Sequence, residues 1–334
     1  MSQHSNFVAG VNGFDIIGDV HGCAHTLIEL LQRLGYKQED GVFKHPSRKI
    51  VFVGDIIDRG PRVREALRIV RAMVENNQAK CILGNHEYNA VAYTSEVTPL
   101  NDTSEAEYLR AHDSRNNRQI RETLIQFASY PEEWRSYLEW FKSLPVFVEF
   151  NDFRVVHACW DNSSVKVLQQ YGSEEETRLA DIMPALLAKD ESVSRCLDRL
   201  TRGTSLAYPD NRIVVSRDGL KRHIFRTKFW ANAPEVYQDV VFQPDPLPDD
   251  LSDRRLSDQE KSCLIYYQTT QKPVFFGHYW LHGRPKTQGN NLACLDYSAV
   301  KFGRLVAYRY DGETSLSTDK FVWVYVDPNV KEDD

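Results

Sequence analysis

The chain has 334 residues, 42% apolar and 26% charged, with 41 Lys and Arg against 47 Asp and Glu and a net charge of −6. This composition excludes a disordered, collagen-like or coiled-coil chain. The acidic balance argues against a protein that coats nucleic acid and needs a basic face. Met1 to Gly13 has neither a basic nor an apolar signal region, and no run approaches 18 apolar residues. The six cysteines, Cys23, Cys81, Cys159, Cys196, Cys263 and Cys294, are scattered and include no C-x-x-C pair. Buried free thiols in a soluble, cytoplasmic protein without a membrane partner are therefore expected.

Phe14 to Ile17 is a strand-type run closed by Gly18. Residues 25–34 carry Leu27, Leu30, Leu31 and Leu34 at helical spacing and end at Gly35, a C′ glycine. Ile50 to Val53, closed by Gly54, reads as a second buried strand, and residues 63–75 as a helix carrying Leu67, Val70 and Val74. Lys80 to Leu83, closed by Gly84, is a third strand. This rhythm predicts a largely parallel sheet covered by helices. Residues 95–142 read as a helical insertion broken at Pro131. Strands at 146–150 and 153–156 flank Asn151-Asp152, a hairpin turn. Residues 172–210 read as polar helix, and 243–255, with Pro244, Pro246, Pro248 and four aspartates, as a solvated loop. Strands resume at 274–276, 292–295, 305–310 and 321–326.

Each early strand ends in a glycine followed by metal-ligand chemistry: Asp19 and His21, then Asp55, Asp58 and Arg59, then Asn85, His86 and Glu87. A later strand delivers His157, and Gly277-His278 follows another apolar run. Ligands gather beyond the carboxyl ends of strands in open α/β sheets, so these groups should converge. Asp19, His21, Asp55, Asn85, His157 and His278 form an oxygen and imidazole donor set suited to Mn²⁺, Fe, Zn²⁺ or Co²⁺ rather than a calcium cage. A central aspartate in such a set bridges two ions, which clamp both oxygens of an in-line displacement at phosphorus.

Asp19-x-His21-Gly22, Gly54-Asp55-x-x-Asp58-Arg59-Gly60 and Gly84-Asn85-His86-Glu87 resemble the signature of calcineurin-like metallophosphoesterases. More narrowly they resemble the phosphoprotein phosphatase branch and its bacterial diadenosine-tetraphosphatase relatives, with His157 and His278 extending the likeness along the chain. The resemblance implies an α/β (α+β) fold of four layers, two mixed β-sheets packed face to face and flanked by helices. It implies a single domain over 1–334, a helical insertion at 95–145, and a second insertion at 160–272 containing the loop 243–255.

It also implies two divalent ions, Mn²⁺ first among them, with Fe, Zn²⁺, Co²⁺ or Ni²⁺ as alternatives. Asp19, His21 and Asp55 match the ligands of the first ion, Asp55 bridges, and Asn85, His157 and His278 complete the second. His86 matches a catalytic histidine beside the leaving-group oxygen, with Asp58 hydrogen-bonded to it. Arg59 matches an arginine that grips phosphate with two N–H groups. A second phosphate-binding arginine is expected mid-chain, at Arg222 or Arg226 in preference to Arg217, on the strand returning from Asp218-Gly219.

The chain departs from the pattern in two places. Trp280 stands where many metallophosphoesterases have the second histidine of Gly-His-x-His, and His157-Ala158 replaces the usual His-Gly-Gly of phosphoprotein phosphatases. The missing second histidine fits the phosphoprotein phosphatase branch, whereas the alanine after His157, Gly277-His278-Tyr279-Trp280 and Leu295-Asp296-Tyr297-Ser298 are more similar to the diadenosine-tetraphosphatase side.

The expected activity is hydrolysis of phosphomonoesters, including phosphoprotein side chains, by in-line attack of metal-bound hydroxide with His86 as proton donor. One alternative is a hydrolase of dinucleoside polyphosphates such as diadenosine tetraphosphate, and another is a non-catalytic metal-binding scaffold. The partner is thus a phosphorylated small molecule, nucleotide or phosphoprotein, with no stable nucleic-acid complex, and the sequence does not indicate an oligomeric state. Trp160, Trp230 and Trp280 read as core packing before adenine stacking, and Cys23 and Cys159 as spectators. His25 reads as solvent-facing, and Asp296 as either a partner of a metal-bound histidine or a turn residue.

Overall fold

Each early strand is apolar on both faces, and the two faces are buried against different partners. The computed structural model describes residues 7–97, 106–215, 221–242 and 247–326. It begins with β1 (Gly13–Ile17), α1 (Ala24–Arg33), β2 (Arg48–Phe52), α2 (Val63–Glu75), β3 (Ala79–Cys81) and α3 (Asn85–Thr94). The strands β1, β2 and β3 are parallel neighbours. Ile17, Ile50 and Phe52 face the helices, packing with Leu27, Leu30, Leu67 and Val70. Ile16 and Val51, one residue out of phase, face the other way. A period of two in the strands thus builds two interfaces at once.

The chain continues through α4 (Ser114–Phe127), α5 (Pro131–Lys142), β4 (Pro145–Glu149), β5 (Arg154–Val156), α6 (Asn162–Gln169), β6 (Glu176–Arg178), α7 (Leu179–Leu187) and α8 (Glu191–Arg202). Its last strands are β7 (Val274–Phe276), β8 (Leu292–Cys294), β9 (Asp296–Tyr297), β10 (Arg304–Tyr310) and β11 (Phe321–Tyr325). One sheet has the order β9-β10-β1-β2-β3 with β11 beside β10, and the other β6-β4-β5-β7-β8. Both are mixed: β10 runs antiparallel to β1, while β5, β7 and β8 are parallel and β4 is antiparallel to β5. Ile16, Val51, Val306 and Tyr308 of the first sheet meet Val148, Val155, Phe275 and Ala293 of the second. The result is the expected four-layer arrangement of two mixed sheets flanked by helices.

Two expectations change. Residues 172–210 are not one helix: β6 pairs with β4, and α7 ends at Leu187, two residues before Lys189, whose φ of 58° is left-handed. Asp190 then caps α8 by accepting the N–H groups of Ser192 and Val193, so a new helix begins. The segment 247–255 is not merely solvated, because Leu251 is buried with Leu206, Phe225, Tyr237, Val240 and Leu256. Pro131 starts α5 at a position where its missing N–H has no helical partner to lose, so the break between α4 and α5 falls where it was expected. Residues 98–105 of the first insertion and 243–246 of the loop lie outside the described residues, as do Arg217 and Asp218-Gly219. Among the described residues no helix is long and apolar enough to cross a membrane.

Candidate functional site

The ends of five parallel strands deliver the donors. Asp19 and His21 follow β1, Asp55, Asp58 and Arg59 follow β2, and Asn85 and His86 open α3 beyond β3. His157 follows β5 directly, and His278 follows β7 after Gly277. Fitting so many side chains into one place requires tight backbone. A Cβ on Gly277 would run into the Asp19 carboxylate, and one on Gly18 into the Leu295 carbonyl. His21, Asp55, Asp58, Arg59 and His278 all have positive φ. Left-handed non-glycine backbone of this kind persists where the surrounding structure enforces it.

Asp55 is the centre. Its Oδ2 lies 3.3 Å from His157 Nε2, 3.7 Å from His21 Nε2 and 3.9 Å from His86 Nε2. Its Oδ1 accepts the His86 backbone N–H at 2.9 Å. Asn85 Oδ1 lies 2.8 Å from His278 Nδ1 and 3.2 Å from His157 Nε2. His21 Nδ1 donates to the Ile57 carbonyl at 2.8 Å and His157 Nδ1 to the Val53 carbonyl at 2.7 Å. Those bonds fix both tautomers and leave each Nε2 with a lone pair facing Asp55.

Two donor groups result, His21–Asp55–His86 and Asp55–His157–His278, each with its ligand atoms within 4.8 Å of one another. Asp55 belongs to both, and the donor types suit a pair of first-row dications. Asp19, expected beside His21, directs its carboxylate to the His278 N–H at 3.1 Å. His86 stands in the first group, where the sequence alone did not assign it.

Burial raises the Asp19 carboxyl well above its ordinary value, and the neighbouring Asp296 carboxylate adds to that. Burial would also raise Asp55, but His157 and His86 hold it well below the usual carboxylate range. His157 rises to about 10 against the opposing effect of burial because Asp55 faces it. His21 and His278 are pushed down, first by burial, then by Arg59 and Arg226 respectively. The lowered His21 and His278, neutral beside an ionised Asp55, are in the protonation states that bind a metal, and His157 would give up its proton on binding one.

His86 Nδ1 donates to Asp58 Oδ2 at 2.6 Å, and Asp58 Oδ1 accepts the Thr123 hydroxyl at 2.5 Å. Thr123 Oγ1 in turn accepts the Asp58 backbone N–H at 3.1 Å. Arg59 donates to His21 Nε2 at 3.0 Å and to His86 Nε2 at 3.1 Å, so its fork spans the two rings. Arg226 is half-buried and donates to the His278 carbonyl at 3.2 Å. Arg222 lies on a short ribbon with Val214 and Val215, close enough to Arg226 for their charges to repel.

Trp280 is not core packing. The half-buried ring takes Arg59 at 4.8 Å, Arg226 at 5.5 Å and Lys301 at 3.7 Å from its centre. Trp160 is buried against Phe147, and Trp230 packs on Phe229, Phe242 and Tyr279, as expected. His25 is exposed. Burial pushes the Cys23 thiol up to about 12 and raises Cys159, which suits spectators.

Sequence reasoning missed four contributors. Glu87 accepts backbone N–H groups from Gly84, Asp55, Ile56 and Ile57 at 3.1, 2.8, 2.8 and 3.2 Å, tying the second strand-end loop to the third. Its place in the Gly-Asn-His-Glu block was the available signal. Thr123 and Gln119 come from α4, and the Gln119 amide lies 3.4 Å from the His86 ring while its Oε1 accepts from Arg110 at 3.1 Å. Arg202 of α8 is bonded to Asn89 and Asp198 and lies over the Tyr88 ring. Burial, then Arg110, lowers its guanidinium to about 10. Arg110, through Gln119, and Arg202, within reach of the Asp55 charge, thus add positive charge near the cluster.

The model of the calcineurin-like phosphoesterase family matches residues 14–226. A bis(5'-nucleosyl)-tetraphosphatase PrpE [asymmetrical] of Halalkalibacterium halodurans is 50% identical over 74 residues, 22% of this chain and 30% of that protein. The protein of the same name from Geobacillus thermodenitrificans is 38% identical over 117 residues, 34% of this chain and 47% of that one. The chain therefore spans less than half the length of these curated relatives. A solved protein serine/threonine phosphatase of Saccharomyces cerevisiae aligns over 98% of this chain and 84% of that one at 15% identity, with a TM-score of 0.48.

Proposed function

The chain belongs to the calcineurin-like phosphoesterase family, and from that premise we propose that it hydrolyses phosphomonoesters with two divalent ions, Mn²⁺ foremost. The observation that carries this reading is one aspartate, Asp55, shared by two donor groups beside a histidine–aspartate pair. Asp19, His21 and Asp55 would hold one ion, and Asp55, Asn85, His157 and His278 the other. When bound, the two ions supply an activated water and the positive charge that stabilises the oxygens of an in-line displacement.

The chain's own residues do the rest. Arg59 and Arg226 grip the non-bridging oxygens, Arg59 with the fork that now spans His21 and His86. His86, its Nδ1–H held by Asp58, delivers a proton from Nε2 to the departing oxygen, and the Asp58 carboxylate stabilises the imidazolium that carries that proton. Thr123 orients Asp58. Burial of the cluster excludes bulk water and strengthens each of these interactions. Six cysteines without a disulfide suit the cytoplasm, and we read the chain as one unit carrying two insertions.

A second reading, cleavage of a dinucleoside polyphosphate, is favoured by two further cations near the cluster, Arg110, which bonds the Gln119 that lies against the His86 ring, and Arg202, which interacts with the Asp55 charge. They suit a leaving group that is itself anionic, and the curated relatives are named tetraphosphatases. One experiment separates the readings. kcat/KM is measured in Mn²⁺ for p-nitrophenyl phosphate, phosphoserine and phosphotyrosine peptides, and diadenosine tetraphosphate. A preference of roughly a hundredfold for a monoester supports the first reading, and the reverse supports the second. Under the second reading Arg202→Ala raises KM about tenfold for the dinucleotide alone. No turnover of any substrate with two Mn²⁺ bound would leave a metal-binding scaffold.

A further inference from the structure

A third carboxylate lies in the buried cluster. Asp19, Asp55 and Asp296 are 3%, 2% and 2% exposed. The backbone brings Asp296 there. The Leu295 N–H donates to the Phe276 carbonyl at 2.7 Å and the Gly277 N–H to the His157 carbonyl at 2.8 Å, while Gly18 lies flush against the Leu295 carbonyl. The residues that follow, Asp19, His278 and Asp296, therefore emerge side by side.

Asp296 Oδ1 accepts the Ser298 N–H at 3.0 Å. Its Oδ2 is buried and meets no hydrogen-bond partner. A carboxyl oxygen buried without a partner beside two other buried aspartates is unfavourable unless a cation meets it. Ser298 at φ 59° turns the chain immediately after Asp296, so the N–H bond to Oδ1 serves the turn and leaves Oδ2 for another partner.

Resting on the metal-centre reading above, we propose that Asp296 is a further metal ligand whose Oδ2 joins Asp19 at its ion. The centre then has three carboxylates, Asp19, Asp55 and Asp296. Oxygen-rich donation of this kind favours Mn²⁺ over the softer-ligand preference of Zn²⁺.

Mn²⁺ stoichiometry and affinity, measured by elemental analysis after dialysis and by calorimetric titration, test the assignment on the full chain. Wild type should bind two Mn²⁺, and Asp296→Asn should retain one at unchanged affinity while the other weakens at least about tenfold. Asp296→Cys supplies an independent readout: titration with Cd²⁺ should give a thiolate-to-cadmium ultraviolet band that the wild type lacks. Two Mn²⁺ at wild-type affinity in Asp296→Asn, or no such band in a folded Asp296→Cys chain, would overturn the assignment alone. A wild-type chain that binds no Mn²⁺ would overturn the metal-centre reading and this assignment with it.

Discussion

The two sides of the site are built differently. The donors around Asp55 hang from the ends of parallel strands, where ladder hydrogen bonds to neighbouring strands hold the backbone. The groups around them, Gln119 and Thr123 from α4, Arg202 from α8 and Arg226 from a three-stranded side sheet, come from intervening segments. Sheets place the atoms that react, and inserted elements place the atoms that choose and orient. A change at the first kind of position should abolish the chemistry, whereas a change at the second should weaken it.

The comparison breaks first, if at all, at its centre. Asp55→Ala removes the shared oxygen, and kcat/KM for p-nitrophenyl phosphate should fall on the order of a thousandfold or more, with bound Mn²⁺ lost in elemental analysis. His86→Ala should lower kcat by about 10²–10³ while leaving KM and metal content near wild type. Thr123→Val sharpens the contrast. It keeps shape and removes both hydrogen bonds with Asp58, one to its carboxylate and one from its backbone N–H, so kcat should drop about tenfold with the metal retained. A Thr123→Val loss as large as that of Asp55→Ala would mean that α4 belongs to the chemistry itself.

Asp161→Ala is the smallest expected effect. Asp161 caps α6 and pairs with Arg199, so the variant should lose about 1 kcal/mol in denaturant titration with kcat unchanged. Burial alone would raise this carboxyl, but hydrogen bonds from Ser164 and Arg199 hold it below its usual range. Its stabilisation is complete above the ordinary carboxylate pKa and fades as pH falls through the lowered one. The difference between wild type and Asp161→Ala should therefore shrink in acid.

Much of the centre was legible because glycine-closed apolar strands followed at once by Asp, His or Asn announce both a sheet edge and a ligand. The convergence of 19–21, 55–59 and 85–87 needed only the parallel-strand rhythm. Thr123 was not legible, since a threonine inside a helix carries no mark of a partner 65 residues away. Trp280 was misread because burial of an aromatic is the common outcome, and the three cations that surround it come from separate segments. The break at Lys189 was missed because a left-handed lysine has no composition signature. Arg226 bonds to the His278 carbonyl because its strand pairs within the side sheet beside that residue.

The left-handed backbone of the cluster sets durability against purpose. Arg59 sits at φ 66° with its side chain on the surface, a conformation disfavoured for an L residue by about 1–2 kcal/mol and natural for glycine. A laboratory population selected only for heat resistance would gain by exchanging this arginine for glycine and would lose its grip on phosphate in the same step. Ancestry and screening regime would then leave opposite signatures at one codon, arginine where turnover was rewarded and glycine where survival alone was.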